Sequence, residues 1–484
     1  MLGKAMPTTS RLIYRADSLP SDPGTLLVIG RKERLLSPDI LALLPMPKGT
    51  WKAMLGRLDG GDSGAAASTW VGELKVVAGI LPEACSRSNS PSRAWAIPGL
   101  ARAAGGKRPT NLILAVDEPA HALAACAASA KAFPLYSRKS GTRREQTISV
   151  QAVGPDGVVF EPKAQAIMDG VQFAARLVDA PCSELNTTAF VAEAKAVAER
   201  VGARILVLEG EQALKENGLG GIWGVGKAAS HPPALVALIH SPENAEKCVA
   251  WVGKGVVYDT GGLSIKGKTG MPGMKGDMGG AAAVLAAFEA AVETGFSQKL
   301  VAVLCLAENA VGPDSVRPDD ILAMHSGRSV EVNNTDAEGR LVLGDGVSWV
   351  CRNHKPDMIV DVATLTGAAL VTSGKVFAGI YTNDEELELR ARRAGKGIGE
   401  PVFPFLYAPE LMRKEFKSSV ADMKNSVKDR MNAQASCAGL FVESHLPKDA
   451  PPWLHLDMAG PSWGVDKRGT GYGVAFLLAL GEAV

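Results

Sequence analysis

What this sequence lacks narrows its class before any motif does. No apolar run reaches the roughly 18 residues that a membrane-spanning helix requires, so no span is expected. The seven cysteines (Cys85, Cys126, Cys182, Cys248, Cys305, Cys351 and Cys437) are scattered, with no C-x-x-C and no paired spacing. An odd, dispersed set is the pattern of reduced thiols and excludes a disulfide framework as the source of stability. The seven histidines contain no H-E-x-x-H and no zinc-finger spacing. Excess charge of one sign is missing too. A net charge of +1 argues against a chain that coats polyanions along its whole length. The amino end, MLGKAMPTTSRLIYRAD, lacks the apolar stretch of a secretory signal, so the cytoplasm is the expected compartment.

What is present describes an enzyme-sized globular protein. The 484 residues are enough for two or three domains, with 46% hydrophobic and 21% charged residues. Glycine, at 53 residues, exceeds the roughly 7% norm and mildly favours an α/β enzyme with many tight turns. Charge is unevenly distributed. Residues 1–165 carry 21 Lys and Arg against 13 Asp and Glu, net +8, and the remainder carries 31 against 38, net −7. An acidic second part suits a carboxylate-lined metal centre.

Periodicity divides the chain. In residues 1–150, short apolar runs such as Leu26 to Ile29 and Asn111 to Val116 alternate with Ala-rich helical stretches such as Ala120 to Phe133. Residues 161–178 have helical spacing and read as a linking helix. Beyond it, unbroken apolar strands are expected at 247–259, 300–308, 357–365 and 375–383, with helices at 279–294, 341–353 and 385–394. The expected fold is α/β: a smaller N-terminal α/β domain (1–160), the linking helix (161–178) and a larger C-terminal catalytic α/β domain (179–484). The catalytic domain should hold a central mixed, mainly parallel sheet flanked by helices.

Charged residues concentrate where such sheets place ligands, at strand ends and the Gly-rich loops after them. Lys254, Asp259 and Lys266 fall in VGKGVVYDTGGLSIK, Asp277 in MKGDMGGAAAV, and Asp336, Glu338 and Arg340 in NNTDAEGRLVLGDGV. Singly, each has a plain reading. Asp277 before a helix suits an N-cap, Asp336 to Arg340 suit a solvated loop with one salt bridge, and lysines usually lie on the surface. Jointly they do not. Four carboxylates converging in one cleft repel one another unless cations neutralise them, and two divalent metals supply the matching charge. Lys254 is a ligand only when neutral, and an unligated Lys266 would polarise a carbonyl.

These three segments resemble the signature segments of the leucine aminopeptidase family of two-zinc exopeptidases. NTDAEGRL, from Asn334 to Leu341, is the most specific of them. Supporting similarity runs from ARLVDAPCSELNTTAF through DVATLTGAA and NAQASCAGLF to HLDMAG and GTGYGV, so it covers about the C-terminal two-thirds. The resemblance implies a tight metal site of Lys254, Asp259, Asp277 and Glu338, and an exchangeable one of Asp259, Asp336 and Glu338. It makes Lys266 the donor to the scissile carbonyl, and Arg340 the holder of a bicarbonate that shuttles the proton. Met274, Thr364, Gly367 and Ala459 would line the pocket for the first side chain. The implied activity is release of apolar N-terminal residues, Leu or Met foremost, from peptides with a free amino terminus, by a hydroxide that bridges the two metals. The implied metals are zinc in the tight site, with zinc, Mn, Mg or Co in the other. The implied assembly is a homohexamer.

Other readings are weaker. Gly262 to Thr269 match a P-loop, but Pro272 and flanking glycines disfavour the helix such a loop must open into. A second near-match, Gly221 to Lys227, lacks the hydroxyl. Gly61-Asp62-Ser63-Gly64 has no partner histidine placed by pattern. The basic clusters Arg31-Lys32-Glu33-Arg34 and Arg143-Arg144 read as solvated faces, so no nucleic-acid partner is expected.

Overall fold

The apolar runs of the second half become the middle of a sheet. The computed structural model describes residues 10–103, 108–140, 146–429 and 431–482. Arg143 and Arg144 lie outside them. Two compact units emerge, one of residues 1–176 with 393–401, the other of 177–392 with 402–484.

In the first unit, strands β1 (Ser10–Tyr14), β2 (Thr25–Gly30), β3 (Ala65–Val71), β4 (Leu74–Ile80), β5 (Thr110–Ala115) and β6 (Gln146–Gly154) form a sheet in the order β1-β6-β5-β2-β4-β3. A short β7 (Gly157–Val158) pairs with β6. All neighbours along that order are parallel except the β3–β4 hairpin. The expected helix at 120–133 is a 3₁₀ turn, Pro119–His121, followed by a helix at Ala122–Ala130. Arg31 to Arg34 do not form a free basic face: Arg31 pairs with Glu83, and buried Arg34 bonds Asp39 at 2.6 Å and the Val116 carbonyl at 3.0 Å.

In the second unit, β8 (Arg204–Glu209), β9 (Ala234–His240), β10 (Cys248–Asp259), β11 (Lys299–Asn309), β14 (Met358–Ala363), β15 (Ala378–Thr382), β16 (Val402–Pro404) and β18 (Trp453–Asp457) build an eight-stranded sheet. Its order is β16-β15-β18-β14-β10-β11-β9-β8. The central strands β18, β14, β10 and β11 run parallel, and β15 and β9 flank them antiparallel. The sheet is therefore mixed with a parallel centre. A small separate sheet joins β12 (Ile321–Ala323), β13 (Ser329–Glu331) and β17 (Met423–Lys424).

Strand alternation explains how both faces are covered. On β10, Gly253 faces the helix Gly279–Glu293, where an added β-carbon would meet Ala281 Cα at 2.5 Å. Its neighbour Val252 points the other way, against Gly346 of the helix Gly339–His354. The site residue Lys254 shares the Val252 face. All four central strands end at one edge, where an open parallel sheet offers its ligand crevice. Among the described residues no helix is long and apolar enough to cross a membrane.

Candidate active site

Each charged side chain reaches this edge for a local reason. Lys254 is buried in mid-strand, 2% exposed, so its ammonium must find partners inside the protein. Its Nζ lies 2.7 Å from Asp277 Oδ1, 3.0 Å from Glu338 Oε1 and 2.9 Å from the Thr364 carbonyl. Asp259 ends β10 at a bulge: three steps from Val256 on β10 match two steps from Ala307 to Asn309 on β11. The extra residue re-aims its side chain. Asp259 Oδ1 then accepts from Asn309 Nδ2 at 2.7 Å and from Gly261 N at 2.9 Å.

Lys266 arrives on the loop after β10 and bridges Asp259 Oδ2 at 2.7 Å and Asp336 Oδ1 at 2.5 Å. Asp277 follows the 3₁₀ turn Met274–Gly276, and the capping position of the next helix belongs to Met278. The N-cap reading of Asp277 is thus overturned. Its carboxylate instead takes Lys254 and the Thr364 hydroxyl, the latter at 2.9 Å. Glu338 and Arg340 are buried at the start of the helix Gly339–His354, so the solvated-loop reading fails for them as well.

Six of the predicted residues therefore gather in two adjoining ion-pair clusters, Lys254 with Asp277 and Glu338, and Lys266 with Asp259 and Asp336. Carboxylate oxygens of Asp259, Asp336 and Glu338 lie within 4.8 Å of one another. Two further oxygens, Asp277 Oδ2 and Glu338 Oε2, are buried without a hydrogen-bond partner among the described residues. A buried carboxylate oxygen left unpaired is costly, and a cation beside it removes that cost. The donor set therefore fits divalent metal ions.

Burial governs the carboxylates, and the carboxylates in turn govern the lysines. Burial, with Glu338 adding to it, pushes Asp259 up to about 6, against the pull of both lysines. Burial likewise raises Asp277 and Asp336. Burial alone would lower Lys254, but Asp277, Glu338 and Asp259 outweigh it and hold the ammonium up. Lys266 behaves the same way, held up chiefly by Asp259. Arg340 is pushed down to about 10 by burial. Its Nη1 donates to the Asn425 carbonyl at 3.1 Å, while its Nε has no partner among the described residues.

The four expected pocket residues stand on the loops around these clusters. Met274 opens the 3₁₀ turn before Asp277, Thr364 bonds Asp277, and Gly367 begins the helix Gly367–Ser373. Ala459 follows β18. Asp457, which the sequence reading passed over, joins two of these loops. Its Oδ1 accepts from Leu365 N at 3.0 Å and Ala459 N at 3.1 Å, and its Oδ2 from Thr366 N at 3.1 Å and Thr366 Oγ1 at 2.7 Å. The sole hint was its place in HLDMAG, two residues before Ala459. Asn425, also missed, holds the 333–337 segment, with Nδ2 donating to the Asn334 carbonyl at 2.7 Å and the Ala337 carbonyl at 3.2 Å.

The P-loop match fails on geometry. Residues 263–273 run through turns and extended chain, and no helix opens at Lys268 and Thr269. Residues 221–226 lie inside the helix Gly220–Gly226.

Comparison with known proteins decides the family. The family model described as cytosol aminopeptidase family, catalytic domain, matches residues 172–478. This chain belongs to the cytosol aminopeptidase family. It is accordingly a hydrolase of the leucyl aminopeptidase kind, and the family is metal-dependent. A second model, the M17 aminopeptidase N-terminal domain 2, matches residues 26–142. A mouse protein named probable aminopeptidase NPEPL1 is 52% identical over 410 residues, covering 83% of this chain and 78% of its own. The structure of Caenorhabditis elegans leucine aminopeptidase is similar with a TM-score of 0.90 at 38% identity, covering 98% of both chains. That of Trypanosoma brucei leucyl aminopeptidase in complex with bestatin gives a TM-score of 0.88 at 37% identity, covering 95% of this chain and 92% of the other.

Proposed function

We propose that this protein removes apolar N-terminal residues, Leu and Met foremost, from peptides with a free amino terminus, using two divalent metals. The observation that carries the reading is the pair of buried oxygens without a partner among the described residues, Asp277 Oδ2 and Glu338 Oε2, the latter belonging to the cluster of Asp259, Asp336 and Glu338. Lys254, Asp259, Asp277 and Glu338 would hold the tight ion, zinc by the family resemblance. Asp259, Asp336 and Glu338 would hold the exchangeable ion, which could be zinc, Mn, Mg or Co. When bound, the ions supply Lewis acidity and a water made nucleophilic near neutral pH.

The chain's own groups then have distinct tasks. Lys266, an ammonium at the solvent side of the site, donates to the carbonyl oxygen of the scissile bond and stabilises the charge that develops there. Asp277 receives the substrate's free amine, which makes an amino terminus obligatory. Arg340, whose buried Nε has no partner among the described residues, would hold bicarbonate, which would supply a proton acceptor for the attacking water. Met274, Thr364, Gly367 and Ala459 line the space for the first side chain.

We take 1–160 as the N-terminal domain, 161–178 as the linking helix and 179–484 as the catalytic domain. Cytoplasmic residence is supported by the seven free cysteines. A homohexamer is supported by large apolar side chains on the surface of the second unit, among them Val371, Val376, Leu406 and Leu411.

The test is hydrolysis of Leu-p-nitroanilide by purified protein, before and after chelation, with Zn²⁺ or Mn²⁺ restored. Activity lost to chelator and regained with metal is expected. No turnover, together with no bound metal, would overturn the reading.

A further inference from the structure

One fully buried carboxylate near the site takes no part in the clusters above. Asp179 closes the helix Ala164–Asp179 and is 1% exposed. It holds two segments at once. Its Oδ2 accepts from Arg468 Nε at 2.8 Å and pairs with Arg468 Nη2 at 2.7 Å, and its Oδ1 accepts from Gly469 N at 2.9 Å. Its main-chain carbonyl accepts from Lys275 Nζ. Lys275 lies inside the 3₁₀ turn Met274–Gly276, two residues before Asp277.

The segment held by the carboxylate is a small hairpin. Trp463 bridges Gly469 antiparallel, Gly464 N donates to the Arg468 carbonyl at 2.8 Å, and Thr470 Oγ1 donates to the Pro461 carbonyl at 2.6 Å. Four residues before Trp463 stands Ala459. The ring of Trp463 lies against Gly276 so closely that a β-carbon there would be 2.0 Å from Cζ2. Glycine at 276 is thus what lets the indole meet the backbone of the turn. On one side the turn is pressed by Trp463, and on another it is tethered through Lys275, with both restraints converging on Asp179.

We propose that Asp179 is a positioning residue for recognition of the substrate's first residue. By latching the hairpin it braces Trp463 on Gly276, and so fixes where Met274 stands at the head of that turn. This rests on the aminopeptidase reading above, in which Met274 faces the first side chain. The Asp179 side chain reaches no metal-binding group, so it should govern how tightly and selectively substrate is held, not the chemical step.

Steady-state kinetics on the full-length, metal-loaded protein with Leu- and Gly-p-nitroanilide test it. Asp179→Ala and Arg468→Gln should each raise KM for the Leu substrate about tenfold and narrow the preference for Leu over Gly, with kcat within about twofold. Arg468→Lys should restore most of the loss, because it returns the charge. Trp463→Ala added to Asp179→Ala should cost nothing further, since both act through one contact. Should Asp179→Ala not fold, the two Arg468 variants, at a side chain that is 33% exposed, carry the test alone. An active parent whose variants keep its KM and its preference overturns this proposal only, as do effects of Asp179 and Trp463 that multiply. A parent inactive on every substrate overturns the aminopeptidase reading and this inference with it.

Discussion

Gly339 faces Lys254 so closely that a β-carbon on it would stand 2.5 Å from Lys254 Cε and 2.7 Å from Nζ. The first residue of the helix Gly339–His354 is thus small because the lysine passes beneath it. The lysine cannot yield, since Asp277, Glu338 and the Thr364 carbonyl fix its Nζ. Gly339→Ala should therefore displace Lys254, lowering metal content and turnover together while the far-ultraviolet circular dichroism stays parental. Metal analysis of the purified variant checks this, and full metal occupancy with parental activity would rule out the crowding argument.

Glu338 and Lys266 should separate metal binding from carbonyl polarisation. Glu338→Ala removes a carboxylate common to both proposed metal sites, so bound metal and turnover should both be lost. Lys266→Ala should keep both metals and lower kcat by about 10²–10³-fold, the usual cost of one oxyanion donor. Loss of metal from the Lys266 variant would recast that residue as a ligand.

Asp457 has four donors converging on one fully buried carboxylate. Truncation to Ala strands Leu365 N, Thr366 N, Thr366 Oγ1 and Ala459 N, and each buried unpaired group costs ~1–3 kcal/mol. Asp457→Ala should destabilise by about 3 kcal/mol or more and show as a clear fall in thermal midpoint, whereas Asp457→Asn keeps two acceptor sites and should lose less. Equal midpoints for the two variants would mean that the loops carry themselves.

His455 supplies a pH signature of stability. Burial alone would depress it, but Asp361, 2.5 Å from Nδ1, outweighs burial, and Asp457 adds to the effect against Arg340. A histidine raised on folding contributes stability that is complete below its unfolded value, near 6.5, and fades as pH climbs through the folded value. The parent should thus lose thermal stability between pH 6 and the alkaline range more steeply than Asp361→Asn. Superimposable pH profiles for the two proteins would refute the charged pair.

Much of the site could be read in order along the chain, because its chemistry is carried by short contiguous segments. VGKGVVYD places Lys254 and Asp259 on one strand, and NTDAEGRL places Asp336, Glu338 and Arg340 at one helix start. The supporting residues could not be read that way. Asn425 holds Asn334 across a separation of 91 residues, and Asp179 grips Arg468 across 289, and neither pair leaves a spacing that periodicity detects. Strands β8, β9 and β18 were not among the expected strands, and no candidate site residue lies on them.

The sequence by itself determined the α/β class, the family, and which charged groups must meet. Local patterning decides these, since apolar alternation and Gly-rich strand ends act within a few residues. Only the tertiary structure decided that Lys254 is sealed between two carboxylates, that Asp277 is no helix cap, and that Asp457 and Asp179 organise the loops around them. Those facts depend on burial, which converts an ordinary charge into an obligatory partner, and burial is a property of the packed chain.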